Sequence, residues 1–131
     1  MANSMAVLVV ETELPIMMTC ADAAIAKGQC LTLADPFTVS ATAGANALFG
    51  GIAAEEKISG DGKLTIAVYR GGIFKLEAGT SGVSVGKPII IEANNEFKDT
   101  AADNSDLGYI WGKSFETATD GQTFLAEIGR G

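Results

Sequence analysis

The feature that most constrains this chain is that part of it is written twice. Ala24-Ile25-Ala26-Lys27-Gly28-Gln29-Cys30-Leu31-Thr32-Leu33 has a counterpart in Gly82-Val83-Ser84-Val85-Gly86-Lys87-Pro88-Ile89-Ile90-Ile91. Gly28 and Gly86 stand 58 apart (86 − 28), and at that offset Ile25 meets Val83, Leu31 meets Ile89 and Leu33 meets Ile91. Each copy is an apolar residue, a glycine turn and an apolar strand. Further along, Phe97 stands where Val39 stood, Asn104 matches Asn46, Leu107 matches Phe49, Gly108 matches Gly50, and Ile110 matches Ile52. The turn at Asp120-Gly121 follows Asp61-Gly62 at an offset of 59 (120 − 61), which reads as one inserted residue.

Each copy, about 24–70 and 82–129, holds three or four short strands that cannot bury a hydrophobic face alone. Two copies closing on one another would enclose one core. The expected fold is therefore all-β: a small β-barrel or β-tulip-like sandwich built from an internal duplication. Residues 20–131 form a single domain in this reading, and residues 1–19 form an extended N-terminal arm. In the arm, Val7 to Val10 is apolar and β-branched, and Pro15 forbids a helix. A run of that kind is hazardous as a bare edge, so it is expected to pair with its own domain, a neighbouring subunit or a partner.

Turn chemistry supports the strands. Gly28, Gly86, Gly62 and Gly121 are the structural turn positions, and the two Asp-Gly steps supply the positive φ that a tight hairpin requires. Leu64 to Tyr69 and Thr123 to Ile128 alternate as the strands that follow them. Ala21 to Lys27 reads as a loop. Helical periodicity is absent apart from a possible turn at Ala54-Glu55-Glu56-Lys57.

Composition narrows the function. At 131 residues the chain is long enough for a real core, and with 47% hydrophobic residues it is expected to be ordered. A net charge of −7, with nine scattered basic residues, argues against nucleic acid as a partner. No apolar run reaches the ~20 residues of a membrane helix. Met1 to Val10 lacks the basic flank of a secretory signal, so a cytoplasmic origin with free Cys20 and Cys30 thiols is expected.

Catalytic constellations are hard to assemble. The chain has no histidine, which removes Ser-His and Cys-His pairs and the usual zinc sites. Asp99, Asp103, Asn104 and Asp106 cluster in sequence, but without calcium-loop spacing, and read as turn-holding side chains. Glu11 with Glu13, and Glu55 with Glu56, read as ordinary surface acids. No catalytic residue, metal site or cofactor is assigned. For Tyr109 and Trp111 two readings stay open: a plug for the core, or an anchor at a subunit interface.

Several of these segments carry a family resemblance. They are Gly72-Ile73-Phe74-Lys75-Leu76, Val85-Gly86-Lys87-Pro88-Ile89, Leu107-Gly108-Tyr109-Ile110-Trp111-Gly112, and Asp120-Gly121 with its closing strand. Together they resemble the small head decoration, or cement, proteins of tailed bacteriophages, over roughly Ala24 to Ile128. The resemblance implies a homotrimer on the outer capsid surface, assembled in the host cytoplasm, that clamps neighbouring capsomers of the expanded head. The partner it implies is the phage major capsid protein. By position, Ala6, Val7, Leu8, Val9 and Val10 match an arm that adds to a capsid strand. The alternatives are a small β-barrel module binding carbohydrate or peptide, with Tyr109 and Trp111 as a stacking platform, or another head or tail component.

Overall fold

A computed structural model describes residues 5–34, 37–41, 48–93, 95–99 and 110–129. The strands are β1 (Val7–Val10), β2 (Ile16–Cys20), β3 (Cys30–Ala34), β4 (Thr38–Ala41), β5 (Phe49–Ala53), β6 (Thr65–Tyr69), β7 (Gly72–Ala78), β8 (Pro88–Ala93), β9 (Glu96–Asp99), β10 (Gly112–Ser114) and β11 (Thr123–Ile128). No helix occurs among the described residues. The all-β, barrel-based fold and its origin in a duplication agree with the sequence.

The duplication is used differently from the expectation of one shared core. Each copy closes on itself. Strands β2-β4-β3-β5-β6 form one closed barrel, and β7-β11-β10-β8-β9 form a second, closed by the parallel pairing of β7 with β9. The reason is one extra strand per copy. β2 and β7 precede the stretches read as repeats, and each closes its barrel by pairing antiparallel to the last strand and parallel to the third. Thr19 pairs with Thr38 in the first barrel, and Glu77 pairs with Glu96 in the second, all at the offset of 58.

The offset does not hold throughout. Leu31 faces Gly51 while Ile89 faces Gly112, and Ile25 bridges Lys57 while Val83 bridges Ala118. In this region the offset is 61 (112 − 51; 118 − 57). It returns to 58 at the last strands, where Met18 faces Ile66 and Leu76 faces Phe124. The alignment of Ile110 with Ile52 is therefore corrected by three residues, so that Trp111 corresponds to Gly50. The two Asp-Gly turns lie in connections of different length, rather than one residue apart in matching ones.

Two cores result. Met18, Leu31, Val39, Ile66 and Val68 fill the first barrel. The second core contains Phe74, Leu76, Ile89, Ile91, Phe97, Trp111, Phe124 and Ile128, and it also takes in Cys30 and Ile52 of the first barrel. β3 and β5 thus pack on both faces, with Leu31 and Ala53 turned to their own barrel and Cys30 and Ile52 to the neighbour. A strand buried on both sides loses the apolar–polar alternation, as the wholly buried run Gly50-Gly51-Ile52-Ala53 does. β11 retains it throughout, with Phe124, Ala126 and Ile128 turned to its core, and β6 retains it up to Tyr69, which packs on the second core instead.

Candidate functional site

Two regions distinguish this molecule from a generic pair of barrels: an N-terminal strand laid across both, and the joint between them. β1 precedes the first barrel in sequence but pairs antiparallel with β7 of the second, placing Val7 opposite Lys75 and Leu8 opposite Phe74. Just before it, the Ala6 N–H donates to the Gly28 carbonyl of the first barrel at 2.9 Å. Leu8 packs on the second core, as alternation requires of a residue between Val7 and Val9. The run expected to pair with its own domain, a subunit or a partner takes the first of these. Among the described residues one edge of β1 is used, and β1 is the terminal strand of its sheet.

At the joint, first-barrel side chains enter the end of the second barrel. The Phe49 ring meets Trp111 edge-on at 5.0 Å between centroids, and Tyr69 meets Phe74 edge-on at 5.7 Å. Such pairs add ~0.5–1.5 kcal/mol each beyond their area. The Arg70 guanidinium lies 4.6 Å from the Phe49 ring centroid. A polar contact fixes the approach: the Cys30 N–H donates to Asn95 Oδ1 at 2.8 Å, buried and 65 residues apart in sequence. Asn95 can do this because it sits at φ 62 in the β8–β9 turn, a left-handed position that asparagine tolerates.

The residues singled out from sequence fall as follows. Trp111 is 0% exposed, edge-on to Phe49 and to Phe97, so of its two readings the core plug is the one realised. A side chain with no exposed surface is neither a subunit anchor nor a stacking platform, and that expectation is corrected. Tyr109 lies outside the described residues, as do Asp103, Asn104 and Asp106. Asp99 accepts the Ser84 N–H at 2.9 Å. Gly28, Gly62, Gly86 and Gly121 all have φ between 80 and 87. Cys20 and Cys30 are free and buried, and burial pushes both thiols up from their ordinary range. Among the described residues no group of three or more His, Cys, Asp or Glu is placed to hold a metal ion.

Sequence reading missed two polar clusters. The buried Lys57 places Nζ 2.8 Å from Asp22 Oδ1 and 2.7 Å from Asp61 Oδ1. Asp22 also accepts the N–H groups of Gly60 and Gly62, so one carboxylate ties the hairpin tip to the barrel. The hydrogen bond from Lys57 holds both aspartates below the usual carboxylate range. Burial opposes the charge on Lys57, but the two carboxylates outweigh it and raise its pKa. In sequence Lys57 stands four residues from Asp61 but 35 from Asp22, and no local pattern joins the two aspartates. The second cluster is Glu77 beside Glu96, cross-strand neighbours on β7 and β9. Burial, then the charge of Glu77 and a hydrogen bond with it, raise Glu96 above its ordinary value.

A family model described as phage cement protein matches residues 9–128. Among solved structures, the chain is similar to the head fiber gp8.5 N base of bacteriophage phi29. The identity is 18% and the TM-score 0.55, over 88% of this chain and 92% of that one, a likeness of fold. No curated protein matches.

Proposed function

The chain belongs to the phage cement protein family, and on that premise we propose that it binds the outer surface of the expanded head as a homotrimer and cements neighbouring capsomers. As a member it is a structural protein of the phage head and a component of the virion. The finer reading concerns how it holds the shell. A subunit that bridges two capsid subunits binds the intact shell and not the separated pieces, and so stabilises the shell by mass action. Three linked sites raise effective affinity by ~10²–10⁴ over one. Neither step needs catalysis, a metal or a cofactor. Assembly takes place in the host cytoplasm in this reading, where the net charge of −7 keeps the free protein soluble.

The observation that carries the reading is the outer edge of β1. That strand ends its sheet, and Val7 and Val9 on it are 56% and 51% exposed. An apolar, β-branched edge is what strand addition uses, with main-chain hydrogen bonds supplying affinity and side chains specificity. The arm is thus already docked on its own barrel and offers its second edge to a capsid strand.

Co-sedimentation with expanded heads tests this. Val7→Lys with Val9→Lys puts two charges on the edge at exposed positions, so folding is retained and head binding is lost. Undiminished binding by this variant removes β1 from the mechanism. Light scattering after size exclusion tests the trimer; a monomer at the working concentration overturns that part and favours a small binding module.

A further inference from the structure

The two barrels present the same end twice, and among the described residues only one of those ends is filled. In the second barrel the end made by the start of β7, the end of β8 and the end of β11 is sealed: Phe74 is 1% exposed, and Ile91 and Ile128 are fully buried. The seal is the outer face of the first barrel, which contributes Cys30, Phe49, Ile52 and Tyr69 to that core. By the strand register, the first barrel carries Ile16, Leu33 and Arg70 at the equivalent positions. There Ile16 is 42% exposed, and a groove of about 290 Å³ opens between Leu33, Ala34, Phe37, Leu48 and Arg70. Phe37 holds the left-handed turn position that Asn95 holds in the second barrel, yet is 56% exposed. Among the described residues no element covers this end.

The molecule itself indicates what fits such an end: a strand pair presenting apolar side chains in cross-strand register, as Ile52 and Tyr69 do. A second copy of the chain does not supply one. Its first-barrel face is already spent on its own second barrel. The corresponding face of the second barrel differs in chemistry, beginning with Pro88 in place of Cys30. In the register of Ile52 and Tyr69 it carries Lys113 and Glu127. Desolvating a charged pair against a groove lined mainly by Leu33, Ala34, Phe37 and Leu48 is unfavourable, so that face stays in water.

We propose that the open end of the first barrel is a docking site for an apolar β-strand face of a different protein. In the proposed function, on which this identification rests, that protein is a component of the capsid shell. The contact is then separate from the β1 edge, and one subunit grips the shell at two places.

The test compares wild type, Phe37→Asp and Leu48→Lys for binding to expanded heads, for oligomeric state by light scattering and for thermal stability. Aspartate tolerates positive φ, so Phe37→Asp keeps the turn, and Leu48→Lys approaches the groove from another strand. The expected result is about 30-fold or greater weakening of head binding for both variants, as for loss of a central apolar anchor, with oligomeric state and melting unchanged. Binding equal to wild type overturns the inference and leaves the proposed function standing. Weakening that arises because the variants fall apart into smaller oligomers makes a second copy the occupant, and also overturns it. Failure of wild type to bind heads overturns both.

Discussion

Asn95 supplies a buried side-chain hydrogen bond between the two barrels, and its replacement separates two energetic effects. Its Oδ1 accepts the buried Cys30 N–H at 2.8 Å, and its backbone sits at φ 62. Asn95→Gly removes the acceptor but keeps the turn, because glycine adopts positive φ without strain. It leaves a buried N–H without its partner, at about 1–3 kcal/mol. Asn95→Ala removes the acceptor and also forces a Cβ into the left-handed region, adding ~1–2 kcal/mol. For a domain of this size each kcal/mol lowers Tm by roughly 3–6 °C. Thermal denaturation should therefore rank wild type above Asn95→Gly above Asn95→Ala, with the first gap exceeding 3 °C. A cycle sharpens the attribution. Cys30→Pro copies the residue at equivalent position 88 and removes the donor instead. In that background Asn95→Gly should cost much less than in wild type, since the bond is already gone. Additive effects, or a Gly variant melting with wild type, would refute the assignment of the joint to this bond.

Other predictions follow from the cores and the two polar clusters. Glu96 has a raised folded pKa relative to its ordinary 4.5, so the stability it contributes is present below that value and lost as pH rises through the folded pKa. Glu96→Gln should melt higher than wild type at neutral pH and converge with it in acid; a pH-independent difference would sink the argument. Asp22 and Asp61 are lowered from 3.8, so their contribution runs the other way, present above that value and lost as pH falls through the folded pKa. Asp22→Asn should narrow the acid-induced loss seen by thermal melts between neutral pH and pH 3. Trp111→Ala empties the centre of the second core and should destabilise by about 3–5 kcal/mol, read by denaturant titration. Both cysteines should resist a thiol reagent in the native protein and react together on unfolding; fast modification of Cys30 without unfolding would contradict its burial.

How much of this was legible in sequence depends on which face of a strand is considered. The β3/β8 and β4/β9 correspondences were visible because Gly28 and Gly86 mark equivalent turns and the inward residues Leu31/Ile89 and Val39/Phe97 stay apolar. β2 and β7 were not visible as copies. Ile16-Met17-Met18-Thr19-Cys20 and Phe74-Lys75-Leu76-Glu77-Ala78 share no residue, only a barrel-facing alternation. Without them each copy was one strand short of closing, and a single shared barrel was the natural conclusion. The three-residue shift before β10 then set Trp111 against the wrong position. Its true counterpart is Gly50, where the first barrel has no side chain to place. The exposed valines of the arm were identified from their own chemistry, but the β7 pairing that fixes which edge remains open joins segments more than 60 residues apart, Val7 to Lys75. No local pattern encodes that.

The same long-range pairing bears on what the two-barrel unit can do mechanically. Only Arg70 and Gly71 separate β6 from β7, so one covalent connection joins the barrels. Alone, that would be a hinge. The N-terminal strap removes the freedom, because Ala6 bonds to the Gly28 turn of the first barrel while β1 pairs with β7 of the second and Leu8 packs on the second core. The aromatic contacts and the Cys30–Asn95 bond close the joint elsewhere. A body tied at several points has few internal modes left to lose when it binds, so less of its interaction energy is spent on ordering. Stiffness also matters for the proposed role. If the β1 edge and the open barrel end grip different parts of a shell, a flexible joint would let those parts separate without straining either contact. With the joint locked, displacing one part loads both contacts together. Leu8→Ala, which loosens the strap but leaves both exposed surfaces in place, should therefore weaken the protection given to heads against heat more than it weakens binding to them. Equal loss of both would mean that the strap contributes only to binding.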